Sequence, residues 1–253
     1  MVELKLPLSP SWKLVAESRA HEVLPAELTM PKVREISDSL LAPVRRLIQN
    51  CSSTYRSALK DPTNYQPLLK DFRRPFMHAL TVHQFCGESK EPPVSLRSFV
   101  HEAGELNDFL RQGQTRLKKE TTTLYELFEV LRDEKDSILK FPIISQRKFL
   151  TRITRRREEL QHQCDTPTRV FTPQEFHALR YDLRQLMYLH RGAWKASEPV
   201  SDEHFRVFLH LLQLSERMGD LNDKLIDTEE DEPMFLAPRD REDLLLYLGV
   251  KIM

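Results

Sequence analysis

Apolar side chains recur along this chain at intervals of three and four and almost nowhere at two, which predicts helices and leaves strands with little support. Val33, Ile36, Leu40, Val44, Leu47 and Ile48 form the clearest stripe, in a helix that follows Pro31 and should bend at Pro43. Before it, an N-terminal helix is expected from Ser9 or Ser11 to about His21, ahead of the stop at Pro25. After a turn at Asp61 comes a helix from Tyr65, then a loop at Pro92 and Pro93, then a short helix from Val94. Gly104 is expected to end that helix, and a long one from about Glu105 to Lys140 to follow it. Beyond Pro142, helices are expected from about Ser145 to Cys164, Pro173 to Trp194, Ser201 to Met218 and Asp220 to Asp227. A last short one runs from Pro238 to Lys251, with Leu244, Leu245 and Leu248 facing inward. Thr172, Pro173 and Glu175 spell a helix start, a capping residue followed by a first-turn proline and an early acid.

The second half of the pattern repeats the first. GELNDFL from Gly104 returns as GDLNDKL from Gly219, 115 residues on. Upstream, YQPLLKDFRRPFM from Tyr65 aligns without gaps on FHALRYDLRQLMY from Phe176, an offset of 111 that sets Arg73 against Arg184. Two matches in one order with similar offsets point to a duplicated helical unit, and two long copies are too few for a solenoid. The chain therefore reads as all-α: two pseudo-twofold-related four-helix bundles plus short terminal helices. The expected divisions are an extension over 1–30, a first bundle over 31–140, a second over 141–230 and a C-terminal helix over 231–253.

Composition narrows the setting. Only 6 glycines in 253 residues leave little material for hairpins. No apolar run approaches the roughly 18 to 20 residues of a membrane span, and the N-terminus lacks the pattern of a secretory signal. Cys51, Cys86 and Cys164 are odd in number and show no zinc-type spacing, so a reducing cytoplasm is the expected compartment.

A formal net charge of zero conceals an uneven distribution. From Arg147 to Lys195 the basic residues are Arg147, Lys148, Arg152, Arg155, Arg156, Arg157, Arg169, Arg180, Arg184, Arg191 and Lys195. The acids there are only Glu158, Glu159, Asp165, Glu175 and Asp182, and DTEEDE from Asp227 to Glu232 restores the balance. His177, Arg180, Arg184, Arg191 and Lys195 share one face of the Phe176 helix, beside the apolar face of Phe176, Leu179, Leu183 and Leu186. Lys148, Arg152 and Arg155 line one face of the preceding helix, and the two stripes are expected to pool into one surface. In the first half, Lys70, Arg73, Arg74 and His78 supply a weaker counterpart. Of Arg155, Arg156 and Arg157, two at most can join one surface, and the rest are expected in solvent.

His177, Arg180 and Arg184, followed some forty residues later by GDLND and echoed by Arg73 and GELND, resemble the CHAD domain, the conserved-histidine α-helical domain. The resemblance runs from about Pro31 to Ile226. It implies paired four-helix bundles whose basic helices converge on a groove that binds inorganic polyphosphate, in association with polyphosphate granules. No catalysis and no cofactor are expected. In that reading His177, Arg180, Arg184, Arg152 and Arg155 grip phosphates, Lys148, Arg191 and Lys195 extend the track, and Lys70, Arg73, Arg74 and His78 form the opposite wall.

The competing reading is a degenerate scaffold, its arginines neutralised by Asp108, Glu216, Asp220 and Asp223 and its groove a structural or protein-binding surface. A nucleic-acid partner is disfavoured, because only Tyr188 and Trp194 lie near the stripe to stack on bases. A metal is disfavoured at His177 by the arginines beside it. No catalytic motif of the phosphate-loop, nucleophile-elbow or zinc-protease type occurs. His83, His101, His190, His204 and His210 are scattered, and Asn107, Asp108, Asn222 and Asp223 suit helix restarts after the glycines.

Overall fold

A computed structural model describes residues 23–50, 65–89, 91–111, 117–166, 168–197, 202–226 and 234–253; for 50, 65–72, 108–111, 117–124 and 220–226 it describes the backbone alone. The expected N-terminal helix and the acidic run at 227–232 lie outside the described residues. Secondary structure is mostly helical, with four strands of two residues each among the described residues. The chain divides into two compact units: Ser37–Ile144, and Ser145–Met253 together with the segment ending at Ile36.

In the first unit, α1 (Val33–Asn50), whose opening turn belongs to the other unit, runs through Pro43. Its predicted stripe is buried from Val33 to Ile48. Next come α2 (Tyr65–Cys86), α3 (Val94–Arg111), α4 (Leu117–Asp133) and the short α5 (Lys135–Leu139). Phe76 of α2, Phe99 of α3 and Phe128 of α4 meet edge-on or tilted, with the closest pair of centroids 4.7 Å apart. His83 donates from Nε2 to the Ile138 carbonyl at 3.1 Å and packs on the Phe141 ring, which ties α2 to the end of α5.

The second unit contains α6 (Gln146–Cys164), α7 (Pro173–Ala196), α8 (Asp202–Ile226) and α9 (Pro238–Gly249). The N-cap expected at Thr172 forms, and Ser145 caps α6 as well. Ser145 accepts from the Lys148 amide, while Thr172 and Glu175 make a reciprocal capping box on α7. Two ribbons tie the ends: β1 (Glu27–Leu28) runs parallel to β4 (Lys251–Ile252), and β2 (Val170–Phe171) antiparallel to β3 (Met234–Phe235). Helix α9 is integral to this unit rather than an appendage. Arg217 of α8 binds Asp240 and Asp243 of α9, and Arg241 of α9 caps α6 through the Cys164 and Asp165 carbonyls.

Two sequence expectations fail here for one reason. Helices α3 and α8 each pass unbroken through their glycine, so GELND and GDLND are mid-helix segments and not restarts. A Cβ on Gly104 would stand 2.7 Å from Nη2 of Arg73, and one on Gly219 would overlap Nη2 of Arg180. Each glycine makes room for an arginine arriving from the preceding helix, and loses helix propensity of about 1 kcal/mol in doing so.

Candidate basic face and buried histidines

The two arginine-on-glycine contacts give a second way to align the helix pairs. Arg180 is 107 residues beyond Arg73, whereas the ungapped alignment used 111 and matched Arg73 with Arg184. In the contact-based register, one helical turn away, buried His83 falls on buried His190 and buried Met77 falls on Arg184.

The apolar face of α7 is fully buried at Phe176, Leu179, Leu183 and Leu186. Beside it the basic stripe grades from exposed His177 through half-buried Arg180, Arg184 and Arg191 to exposed Lys195. The Lys195 ammonium sits 4.2 Å from the Trp194 ring centroid, and burial with Arg191 nearby pulls its pKa down. Among the described residues Arg184 has no counter-ion, and its Nε is shielded from solvent without a hydrogen-bond partner. Among the described residues no anion offsets the desolvation of a guanidinium so placed.

The expected pooling with the α6 stripe does not occur. Arg156 of α6 binds Asp182 of α7 at 3.0 Å, and burial raises the Asp182 pKa although Arg156 opposes that shift. Two helical positions subtend about 200°, so Asp182 lies about 160° around α7 from Arg184. Helix α6 therefore flanks α7 on the side away from the stripe, and α8, which brings Gly219 to Arg180, borders the stripe itself. Lys148 and Arg155 are exposed on α6, Arg155 paired with Glu159 at 2.9 Å, and Arg152 is half-buried. A shallow depression of about 530 Å³ along α6 is lined by Arg147, Leu150, Thr151, Thr154, Arg155 and Glu158.

Of the first-unit wall, Arg73 is engaged at Gly104 and donates from Nε to the Val100 carbonyl at 3.1 Å. Arg74 is half-buried, and the side chain of Lys70 lies outside the described residues. His78 is a correction: at 2% exposure it is a core residue and presents no surface to a ligand. Arg157 is another. One of three consecutive arginines expected either on the shared surface or in solvent, it is in neither place: it is buried, and its Nη2 donates to the Tyr247, Leu248 and Val250 carbonyls at the C-terminus of α9. Glu216 is exposed on α8, while the side chains of Asp108, Asp220 and Asp223 are outside the described residues.

The histidines that look scattered in the sequence are not all scattered in space. His190 of α7 and His204 of α8 meet in the core, Nδ1 to Nδ1 at 3.4 Å, and His190 Nε2 lies 3.2 Å from the Tyr247 hydroxyl. The linear signal was faint: two histidines near facing ends of consecutive helices. Among the described residues no group of three or more His, Cys, Asp or Glu side chains could hold a metal, and no helix is long and apolar enough to cross a membrane.

No protein-family model matches this chain, and neither a curated protein nor a solved structure matches it significantly.

Proposed function

We propose that the basic face of α7 binds a polyanion, specifically inorganic polyphosphate, without catalysing its turnover. The observation that carries this reading is Arg184, half-buried, without a counter-ion among the described residues, and in line with His177, Arg180, Arg191 and Lys195. Arginine presents a planar fork of donors suited to phosphate oxygens, and a row of cations one or two turns apart suits a ligand with a charge on every repeat. The CHAD resemblance supplies the identity of the ligand, and association with polyphosphate granules in the cytoplasm is part of the same proposal. The repeated arginine-on-glycine contact supports the duplicated-bundle architecture that goes with it.

A second reading has its own support. Arg73 and Arg180 pack on glycines, His78 is buried, and Arg155 and Arg156 are ion-paired, so several basic residues already serve the fold. On that reading the helices are a scaffold that has kept its arginines for packing.

Calorimetric titration with long-chain polyphosphate, and with single-stranded DNA of matched charge, separates the two. Arg184→Met, which installs the side chain found at position 77, should weaken polyphosphate binding about tenfold to a hundredfold, in keeping with one charge-assisted contact. Arg155→Ala should leave it within about twofold. Absence of binding at low salt, or equal losses from both variants, would establish the scaffold reading.

A further inference from the structure

We propose that His190 and His204 form a buried, proton-sensitive latch that holds the segment around β1 in place when both rings are neutral and releases it on acidification. The latch is independent of polyphosphate binding.

The tautomers follow from the partners. His204 Nε2 lies 2.9 Å from the Thr29 carbonyl, which only accepts, so that nitrogen carries the hydrogen and Nδ1 is bare. The facing Nδ1 of His190 must then donate across the long 3.4 Å contact, which leaves His190 Nε2 to accept from the Tyr247 hydroxyl. Donation therefore runs one way, from Tyr247 through His190 and His204 to Thr29, and joins α9, α7, α8 and the segment after β1. Two neutral rings satisfy it.

An added proton breaks this one-way chain. On His204 it either sets two N–H groups face to face or forces His190 to move its hydrogen to Nε2 and the Tyr247 hydroxyl to turn from donor to acceptor. On His190 it creates a buried imidazolium close to Arg157, whose guanidinium carbon is 5.0 Å from the Tyr247 ring centroid. Burial depresses both histidines, and neighbouring Arg157 and His204 depress His190 further. For His204 the Thr29 carbonyl and Glu203 of α8 oppose that shift without cancelling it. The remaining charged pair on the strands is Glu27 with Lys251 at 3.0 Å.

The segment that must move is small. Residues 26–30 are held by backbone bonds between Lys251 and Ala26, Met253 and Leu28, and Met30 and Met253, and by the Gln146 amide on Pro31. Lifting it exposes His204 to water, where the ring takes its proton near pH 6.5. Each histidine that protonates only in the open form multiplies the opening constant by up to about ten per pH unit below that value.

Hydrogen exchange on the intact protein, corrected for intrinsic rates, tests this at pH 7.5 and 5.5. Amides of Met30, Lys251 and Met253 should lose tenfold or more of their protection at the lower pH while α7 core amides keep theirs. His204→Gln, whose amide nitrogen can still donate to Thr29 but does not titrate, should remove most of that loss. Nitrogen-15 spectra of the unaltered protein at pH 7.5 give a check that needs no variant: His190 should carry hydrogen on Nδ1 and His204 on Nε2. Reversed tautomers, a charged ring at pH 7.5, or equal strand protection at both pH values would overturn the latch.

Discussion

Arg180 of α7 lies so close to Gly219 of α8 that any side chain at position 219 would displace its guanidinium, and Arg73 stands in the same relation to Gly104 in the other unit. The contact fixes where two antiparallel helices touch, and it explains why a helix-weakening residue sits inside a long helix.

This predicts a reversal of sign. In an Arg180→Ala background, Gly219→Ala should stabilise the protein by up to about 1 kcal/mol, the helix propensity gain. With Arg180 in place the same change should gain nothing or destabilise. Urea unfolding of the four proteins in this cycle gives the coupling, and a value below about 0.5 kcal/mol would show that the arginine moves aside without cost.

Arg157 should be the basic residue of α6 whose loss costs most. Its Nη2 serves three carbonyls at the end of α9 in a buried setting. Arg157→Ala should cost about 3 kcal/mol, against less than about 0.5 for Arg155→Ala on the exposed face, as read from denaturation midpoints.

Asp240 is 3% exposed and accepts from Arg217 Nε at 2.6 Å. Asp240→Ala should destabilise by about 2 kcal/mol, at the low end for a buried pair because Asp243 still holds Arg217. Arg217→Met together with Asp240→Leu should recover part of that loss; if the double variant is worse than the sum of the singles, the pair has a different role.

Stability should fall on mild acidification. His83, His190 and His204 all have folded pKa values below the ordinary 6.5, mainly through burial. Each binds fewer protons folded than unfolded, so its contribution is complete above about pH 6.5 and is lost as pH drops toward the folded value. Between pH 7.5 and 5.5 each loses at most about 1.4 kcal/mol. Asp182, raised by burial, acts in the opposite direction, and Glu175, lowered by its capping bonds to Thr172, loses stability at lower pH. Denaturant titrations at pH 7.5, 6.5 and 5.5 should show a monotonic fall, and a flat profile would contradict it.

Polyphosphate affinity, if α7 provides the site, should drop with salt in proportion to the phosphates engaged. The slope of log affinity on log salt should be near 0.7 per contact, and Arg184→Met should reduce it by about that amount. An unchanged slope would place Arg184 outside the contact.

The one-dimensional pattern determined what depends on near neighbours in the chain. The burial of α1 from Val33 to Ile48, the capping box at Thr172 and the apolar face of α7 all follow from a period of 3.6 and from bonds spanning three residues. The basic stripe was legible for the same reason. Tertiary structure decided whatever depends on which helix flank meets which. Gly104 and Gly219 read as breaks until arginines from other helices filled the space above them. Arg155 and Arg157 are two residues apart, yet one is exposed and the other caps α9, because the helix turns them about 160° apart and only one faces a neighbour. His190 and His204 became partners only when α7 and α8 packed antiparallel and excluded water from between them, a consequence of the whole fold's burial that no local spacing encodes.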